Sequence, residues 1–251
     1  MTPIRNNEWI LESFLETTSA FADLIVIFDQ ASDDKSDEIC RRLPKVDYNY
    51  TSNTNWLGTK LRTVPIERAR KLIPGRKLLL GLDVDEILTF DSLECSAWQR
   101  IKDFENNTII NFEKPDLIGN YSDVIRHPNS YFTLGLIDDG SLAYSDDSHQ
   151  FHTDRIPKPK DANIQNINDI KFLHYGLFDL KLQSSKEDFY SVLTYSRIAN
   201  RSYLDNLRIN YHHRKNYEYK SLGQLATCPN VWFEGWENKG INVRNFKTNR
   251  F

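Results

Sequence analysis

The stretch that decides the fold is Lys77-Leu78-Leu79-Leu80-Gly81-Leu82-Asp83-Val84-Asp85-Glu86, an apolar run that ends on two carboxylates one residue apart. The run is short and follows Pro74-Gly75, which favours a buried strand of a parallel sheet over a helix. Ligand sites in open α/β sheets lie at the carboxyl ends of such strands. Carboxylates there suit Mg²⁺ or Mn²⁺, which bind one or two protein oxygens and complete their shell with water and phosphate oxygens. We therefore predict a metal-assisted nucleotide-diphosphate site, with an Asp pair capping a strand-to-loop turn as the structural alternative.

The composition indicates a folded protein without an overall basic charge. The chain has 251 residues, of which 39% are hydrophobic, and this is enough to fill a core. The net charge of -3 argues against nucleic acid as the main partner. Three cysteines stand far apart without zinc-site spacing, which indicates a reduced setting. We find no basic-then-apolar leader and no apolar run of membrane-spanning length, so we expect a cytoplasmic protein.

Helices and strands alternate in the first third of the chain. The pattern predicts helices over Asn6–Ala22, Asp37–Leu43 and Lys60–Ile73, a strand over Leu24–Phe28 that ends on Asp29, and a loop over Asp47–Thr59. Such alternation is typical of a parallel sheet with right-handed crossovers.

The rest of the sequence predicts a mixed, partly antiparallel region followed by a helical region. We expect a helix over Ser96–Phe104, strands over Thr108–Phe112, Tyr131–Ile137, Ser141–Ser145 and Ile170–Gly176, a loop over Lys158–Asn168, and a helix over Lys186–Arg201. The basic, aromatic stretch from Arg197 to Lys220 fits a solvated face, a contact with an anionic membrane surface, or a wall for an acceptor. The chain is predicted to divide at residue 180, with a helical extension over residues 181–251.

Several segments, taken in order, resemble those of one enzyme family. They are Thr2-Pro3-Ile4-Arg5-Asn6-Asn7-Glu8, Phe28-Asp29-Gln30-Ala31-Ser32-Asp33-Asp34-Lys35-Ser36, Leu82-Asp83-Val84-Asp85-Glu86, Phe151-His152-Thr153-Asp154-Arg155-Ile156-Pro157, Leu173-His174-Tyr175 and Tyr211-His212-His213. This order resembles a glycosyltransferase of the GT-A fold, close to family 2 of the inverting enzymes. The first segment is similar to the family's opening turn after its first strand, so that strand is expected to be missing or only partly present.

The resemblance implies a Rossmann-like GT-A domain over residues 1–180, with a mixed, mainly parallel sheet flanked by helices. It implies a nucleotide-sugar donor, a glycan or glycolipid acceptor, Mn²⁺ or Mg²⁺ as cofactor, and a place in cell-surface polysaccharide synthesis, with peripheral membrane contact. The implied alternatives are a non-catalytic sugar- or nucleotide-binding module of the same fold and a nucleotidyltransferase. A nucleotidyltransferase is disfavoured because Thr2 to Glu8 contains no glycine-rich phosphate loop.

The candidate site residues fall into three groups. Substrate binding is assigned to Pro3, Arg5, Asp29, Arg62, Asp83 and Arg155, metal binding to Asp83, Asp85 and His174, and catalysis to His152 and Asp154. Asp146 and Asp147 are further candidates for the carboxylate base that takes the acceptor proton. Several assignments have a structural alternative: a turn former for Asp29, a core histidine for His174, an exposed helical side chain for Arg62, and a solvated loop for His152 and Arg155.

Overall fold

The computed structural model describes residues 1–54, 60–127, 131–143, 154–159, 161–179, 223–244 and 246. Contacts divide the chain into two compact units. The first unit contains residues 1–114, 130–173 and 230–251, and the second contains residues 115–129 and 174–229. The predicted boundary at residue 180 stays a prediction. In the described part of the chain, no helix has both the length and the apolar character needed to cross a membrane.

The described residues form eleven strands and six helices. The strands are β1 (Thr2–Ile4), β2 (Ile25–Gln30), β3 (Val46–Thr51), β4 (Lys77–Leu80), β5 (Glu86–Leu88), β6 (Ile109–Glu113), β7 (Asp116–Leu117), β8 (Asp123–Arg126), β9 (Phe132–Asp138), β10 (Ile164–His174) and β11 (Gln224–Thr227). The helices are α1 (Glu8–Ser19), α2 (Ser36–Arg41), α3 (Lys60–Leu72), α4 (Phe90–Leu93), α5 (Ala97–Lys102) and α6 (Val231–Asn238). The chain is therefore an α/β protein, as predicted.

Three parallel strands begin the first unit. Strand β2 lies between β1 and β3 and pairs in parallel with both. The predicted helices α1, α2 and α3 are confirmed, with ends within three residues of the expected ones. Helix α1 buries one apolar stripe, which recurs with helical spacing and includes Ile10, Phe14 and Leu15. Helix α3 contributes Ile66 and Ala69 to a core cluster with Val26 and Leu79.

Two segments predicted as irregular are strands. Thr2–Ile4, expected to be a turn, is β1, and Val46–Thr51, expected to be part of a loop, is β3. The prediction for β3 is wrong because an outer strand carries polar side chains. Asp47 and Asn49 interrupt any apolar run, although most residues of β3 are half-buried.

A mixed sheet forms the remainder of the first unit. Its strands follow the order β4, β9, β6, β10, and β5 pairs with β10. Strand β9 runs antiparallel to both β4 and β6, whereas β6 and β10 run parallel. The parallel pairing predicted for β4 is wrong on the side of β9. An apolar run reports burial, and burial alone does not distinguish parallel from antiparallel pairing.

A buried carboxylate connects α3, β4 and β9. Asp138, the last residue of β9, is fully buried and accepts hydrogen bonds from Arg70 at 2.6 and 3.1 Å and from Lys77 at 3.2 Å. Burial acts to raise the pKa of Asp138, but the hydrogen bonds and charges of Arg70 and Lys77 outweigh it and lower that pKa. Asp138 is therefore ionised and fixes the ends of three elements.

The second unit contains a small antiparallel sheet. Strand β8 pairs with β7 on one side and with β11 on the other. His174, the last residue of β10, belongs to this unit and pairs with Asp116 of β7. The rings of Tyr121 and Phe178 lie 4.4 Å apart and add an apolar contact.

The later predictions have mixed outcomes. The helix near Ser96–Phe104 and the strands near Thr108–Phe112 and Tyr131–Ile137 are confirmed as α5, β6 and β9. The loop over Lys158–Asn168 is wrong in its second half, because β10 begins at Ile164. Residues 141–143 form no strand, and residues 144–145 lie outside the described residues, as does the predicted helix at 186–201.

Candidate functional site

Three carboxylates lie in and directly after the turn between β4 and β5. Asp83 and Asp85 stand in the turn and Glu86 begins β5. The N–H of Glu86 donates to the carbonyl oxygen of Asp83 at 3.0 Å, and the N–H of Asp83 donates to Oε2 of Glu86 at 3.0 Å. The side chain of Asp83 is 34% exposed, whereas Asp85 and Glu86 are buried. Of these three acids, Asp83 is thus the most accessible to a ligand.

Two arginines hold the carboxylate of Asp83. Nη2 of Arg62 lies 2.5 Å from Oδ1, and Nη2 of Arg155 lies 2.5 Å from Oδ2. Arg62 comes from the first turn of α3, and Arg155 comes from a segment 72 residues after Asp83. The structure thus brings together Arg62, Asp83 and Arg155, three of the residues predicted to bind substrate.

Glu86 contacts Arg155 and one further cationic side chain, that of Lys114. Its Oε2 lies 2.5 Å from Nη1 of Arg155, and its Oε1 lies 3.4 Å from Nζ of Lys114. The Lys114 ammonium also lies 4.5 Å from the centre of the Phe132 ring, a cation–π contact. Three cationic side chains therefore surround the turn that carries Asp83.

The charges in this cluster are mutually stabilised. Burial acts to raise the pKa of Asp83, but the charges of Arg155 and Arg62 outweigh burial and hold that pKa well below its ordinary value. Burial acts to lower the pKa of Arg155, but the charges of Glu86 and Asp83 raise it. Asp83 and Arg155 therefore form an ionised pair at neutral pH.

Gly81 allows the backbone of Arg155 to reach the turn. A Cβ atom at Gly81 would lie 2.7 Å from the carbonyl oxygen of Arg155 and 2.9 Å from its Cβ. Both distances are shorter than a real side chain tolerates. The N–H of Gly81 also donates to the carbonyl oxygen of Leu134 at 2.8 Å, which fixes its position beside β9. A glycine here is thus needed to bring Arg155 to Asp83.

Arg62 has hydrogen-bonding capacity left over. Its side chain is only 12% exposed, and none of the atoms that the structure describes accepts a hydrogen bond from its buried Nη1. An unsatisfied buried donor costs about 1–3 kcal/mol. A guanidinium already fixed by Asp83 on one side is well suited to donate to phosphate or carboxylate oxygens on the other.

A divalent cation fits this cluster only in part. Both oxygens of Asp83 contact arginines, so Asp85 is the remaining carboxylate of the turn that could ligate a metal. Among the described residues, no group of three or more metal-binding side chains is found. A bound Mg²⁺ or Mn²⁺ would need most of its ligands from water and from the phosphate oxygens of a ligand beside Asp85, which is a common arrangement for these ions, and the predicted metal site stays a prediction.

The other residues predicted to bind the nucleotide sugar lie at the ends of β1 and β2. Asp29 is fully buried near the end of β2, where its Oδ2 accepts a hydrogen bond from the Tyr48 hydroxyl at 2.7 Å and its Oδ1 accepts one from the N–H of Ser32 at 2.9 Å. Asp29 therefore holds the turn that follows β2, which includes Ala31 at a φ of 56°. Its contact with a nucleotide stays a prediction.

The loop after β1 is fastened to the loop after β2. Pro3 lies within β1, and the exposed Arg5 follows it and donates from Nη1 to the carbonyl oxygen of Thr54 at 3.4 Å. The N–H of Asn6 donates to Oγ of Ser32 at 2.9 Å. Pro3 and Arg5 thus lie at the same sheet edge as Asp29, since β1 and β2 run parallel.

Of the predicted catalytic residues, the described part of the chain includes Asp154. Asp154 has a 56% exposed side chain and accepts a hydrogen bond from Nζ of Lys158 at 2.6 Å. His152, Asp146 and Asp147 lie outside the described residues. Asp154 is adjacent in sequence to Arg155 and belongs to the same unit as Asp83.

His174, predicted as a metal ligand, takes part in a three-residue cluster of the second unit. Nδ1 of His174 lies 2.5 Å from Oδ1 of Asp116, and Nε2 of His127 lies 2.6 Å from Oδ2 of the same carboxylate. Asp116 is buried and bridges the two imidazoles. The metal-binding role of His174 stays a prediction.

Comparison of the chain with models of protein families and with curated proteins finds no match. The site residues that sequence reasoning missed are Lys114, Tyr48, Asp116 and His127, along with the central role of Glu86. The sequence feature that could have identified Lys114 as a site residue is its position as a charged residue soon after an apolar strand. The others are single polar residues without a distinctive spacing.

Proposed function

We propose that this chain is a metal-dependent inverting glycosyltransferase of the GT-A fold. It transfers a sugar from a nucleotide-diphosphate donor to a glycan or glycolipid acceptor. The observation that carries the proposal is the ion-pair cluster at Asp83, in which Arg62 and Arg155 flank the carboxylate and Arg62 retains a buried N–H group without an acceptor among the described atoms. A cluster of this kind at the loop after a sheet strand is suited to a diphosphate.

The chemistry requires charge compensation on the leaving group. As the acceptor oxygen bonds to the anomeric carbon, the bond from that carbon to the diphosphate oxygen breaks and the electron pair leaves with the diphosphate. Arg62 and Arg155 hold positive charge where this negative charge grows, and Glu86 keeps the Arg155 guanidinium in place. A divalent cation at Asp85 supplies Lewis-acid stabilisation when bound.

The proton of the acceptor hydroxyl needs a base. Asp154 is the proposed base because it is exposed, carries a carboxylate and precedes Arg155 directly in the chain. Its Oδ1 accepts a hydrogen bond from Nζ of Lys158 at 2.6 Å, which holds the carboxylate beside the Arg155 segment. His152 is proposed to act with it at the acceptor site.

A second candidate is a binding module that takes up the same donor without turnover. The observation that favours it is the complete ion pairing of Asp83, because both oxygens already contact arginines and leave Asp85 with fewer partners for a metal. Such a protein binds a nucleotide sugar but releases no nucleoside diphosphate.

The test is thermal unfolding with UDP-, GDP-, CDP- and dTDP-sugars, each with and without Mn²⁺. We expect one donor to raise Tm by several degrees, since a ligand at a hundred times its Kd stabilises the folded state by about 2.7 kcal/mol. Asp85→Ala should abolish the Mn²⁺-dependent part of the shift, and Arg62→Met should abolish most of the donor shift. Glu38→Ala, which removes an exposed carboxylate of α2, is the matched control and should leave both shifts unchanged.

Turnover separates the two candidates. Release of nucleoside diphosphate in the presence of Mn²⁺ and an acceptor supports the transferase, and its loss in Asp154→Asn with donor binding retained supports the proposed base. Donor binding without any release supports the binding module. A chain that binds none of the four donors refutes both.

A further inference from the structure

A row of neutral polar side chains crosses the mixed sheet of the first unit. Asn166 of β10 is the register partner of Asn111 of β6, and Asn111 is the register partner of Thr133 of β9. The Thr133 hydroxyl donates to Oδ1 of Asn111 at 2.8 Å, and Nδ2 of Asn111 donates to Oδ1 of Asn166 at 3.0 Å. Hydrogen bonds in such a chain polarise one another, which strengthens the donor at its end. That donor is Nδ2 of the exposed Asn166.

A second amide is held in the same way. Asn168 accepts a hydrogen bond at Oδ1 from the Tyr131 hydroxyl at 2.5 Å. Asn166 and Asn168 are exposed and Ile167 between them is buried, so the two amides share one face and lie roughly 6–7 Å apart along β10. Among the described atoms, neither Nδ2 has a hydrogen-bond acceptor. We call this surface the amide face and define it by five residues, Asn111, Tyr131, Thr133, Asn166 and Asn168.

The charges at the amide face argue against an anionic ligand. Its five residues are uncharged. The next acid along β10, Asp169, pairs with Arg100 at 2.8 Å, so this cation is already compensated. Phosphate and sulfate groups are bound in proteins by cationic side chains or by clustered backbone N–H groups. Nucleic acid and the headgroups of anionic lipids therefore match the amide face poorly.

The place of the amide face within the sheet argues against an added peptide strand. Strand β6 pairs with β9 on one side and β10 on the other, so its backbone groups are engaged in the sheet. Amide groups whose oxygens are already occupied present N–H donors, which suit hydroxyl oxygens. Ile164, which is 56% exposed and two residues before Asn166, adds an apolar surface for the C–H side of a sugar ring. A neutral sugar chain offers both kinds of group.

The amide face also adjoins the charge cluster along the chain. Tyr131 and Thr133 flank Phe132, whose ring centre lies 4.5 Å from the Lys114 ammonium. Lys114 in turn lies 3.4 Å from Glu86. The amide face and the Asp83 cluster belong to the same unit.

We propose that the amide face binds a neutral glycan chain, with Nδ2 of Asn166 and Nδ2 of Asn168 donating to hydroxyl oxygens of the sugars. The part of this inference that makes the glycan the acceptor rests on the proposed function. The structural alternative is a row of side chains that only joins three strands. That alternative gives the face no affinity for sugars.

The experiment titrates the full chain with four neutral hexasaccharides and follows the side-chain amide signals by NMR. The sugars are cellohexaose, maltohexaose, mannohexaose and xylohexaose, with hexagalacturonate as the anionic comparison. We expect at least one neutral sugar to bind with a Kd of about 1 mM or lower and to shift the Asn166 and Asn168 signals. Hexagalacturonate should bind about tenfold more weakly or less, since the face has no cation to receive its carboxylates.

Alanine variants test which amides take part. Asn166→Ala and Asn168→Ala should each weaken the neutral sugar about three- to tenfold, because each removes one hydrogen bond. The matched control is Asn106→Ala. Asn106 is an exposed asparagine of the same unit whose Oδ1 also accepts a side-chain hydrogen bond, from Arg76 at 3.0 Å. Its replacement should leave the sugar affinity unchanged.

Three results would overturn the proposal: no binding of any neutral hexasaccharide at about 10 mM, wild-type affinity in both alanine variants, or preference for hexagalacturonate. The nucleotide-sugar shift in Tm is measured on the same variants and should be retained in Asn166→Ala. Donor binding without glycan binding refutes this inference and leaves the proposed function standing. Glycan binding without donor binding supports the amide face and refutes its role as an acceptor site.

Discussion

Replacement of Glu86 by glutamine gives the sharpest test of the charge cluster. Glu86 is fully buried, lies 2.5 Å from Arg155 and 3.4 Å from Lys114, and accepts the N–H of Asp83. Glutamine keeps the shape but removes the negative charge, and its amide must turn either a donor or a neutral oxygen toward each cation. Arg155 and Lys114 then remain buried with less compensation.

The expected loss follows from these contacts. Removing one partner of a buried ion pair costs about 3–5 kcal/mol. Lys114 keeps its contact with the Phe132 ring and Arg155 keeps Asp83, so the lower end of that range is expected. We expect Glu86→Gln to lower the free energy of unfolding by about 3 kcal/mol, which corresponds to roughly 6–12 °C in Tm for a chain of this size.

Urea unfolding followed by tryptophan fluorescence measures this loss. The matched control is Glu237→Gln, which removes the carboxylate that pairs with Arg244 at a more exposed position and should cost about 1 kcal/mol or less. Equal losses in the two variants would show that burial does not strengthen the Glu86 pairs, and the electrostatic account of the site would be wrong.

Three further expectations concern other parts of the molecule. Gly81→Ala should destabilise the protein by about 1–3 kcal/mol in urea unfolding, because the new Cβ would press against the backbone of Arg155, and donor binding should weaken with it. Asp138→Asn should lower Tm by several degrees at pH 7 and 5. Because the folded-state pKa of Asp138 lies below its unfolded value, its contribution is complete above about pH 4 and is lost as pH falls through the folded pKa, so the difference between wild type and Asp138→Asn should shrink at pH 3. Asp116→Asn removes the charge that two imidazoles contact and should cost about 1–3 kcal/mol, whereas Asp123→Asn, whose side chain pairs with an exposed asparagine, should cost less than 1 kcal/mol. A cost for Asp116→Asn no larger than that for Asp123→Asn would contradict the bridging role.

The elements that the sequence predicts well are those whose burial is one-sided or complete. Helices α1 and α3 carry apolar residues with helical spacing, and β2 and β4 are continuous apolar runs, so their periodicity identifies them. Strand β3 contains the half-buried Asp47 and Asn49, and the first part of β10 contains the exposed Asn166, Asn168 and Asp169, so neither strand shows an apolar run. Their pairing is decided by neighbouring strands rather than by their own composition.

The site was predictable in its carboxylates and not in its ion pairs. Asp83 and Asp85 were visible because they end an apolar run, and this gave their place at the sheet edge. The approach of Arg155 depends on a glycine contact 74 positions earlier in the chain, and the buried Lys114 depends on Glu86 and an aromatic ring. Contacts between residues so distant in sequence leave no periodic signal.

The contact between Asp83 and Arg155 also affects how the protein folds. The pair closes a loop between residues 72 positions apart in the chain, and closing a loop of that length has a larger entropic cost than forming the local helices α1 and α3. Contacts of long sequence separation form slowly. This ion-pair cluster is therefore expected to be among the last parts to assemble, so that binding of the proposed nucleotide donor would report completion of folding rather than early collapse.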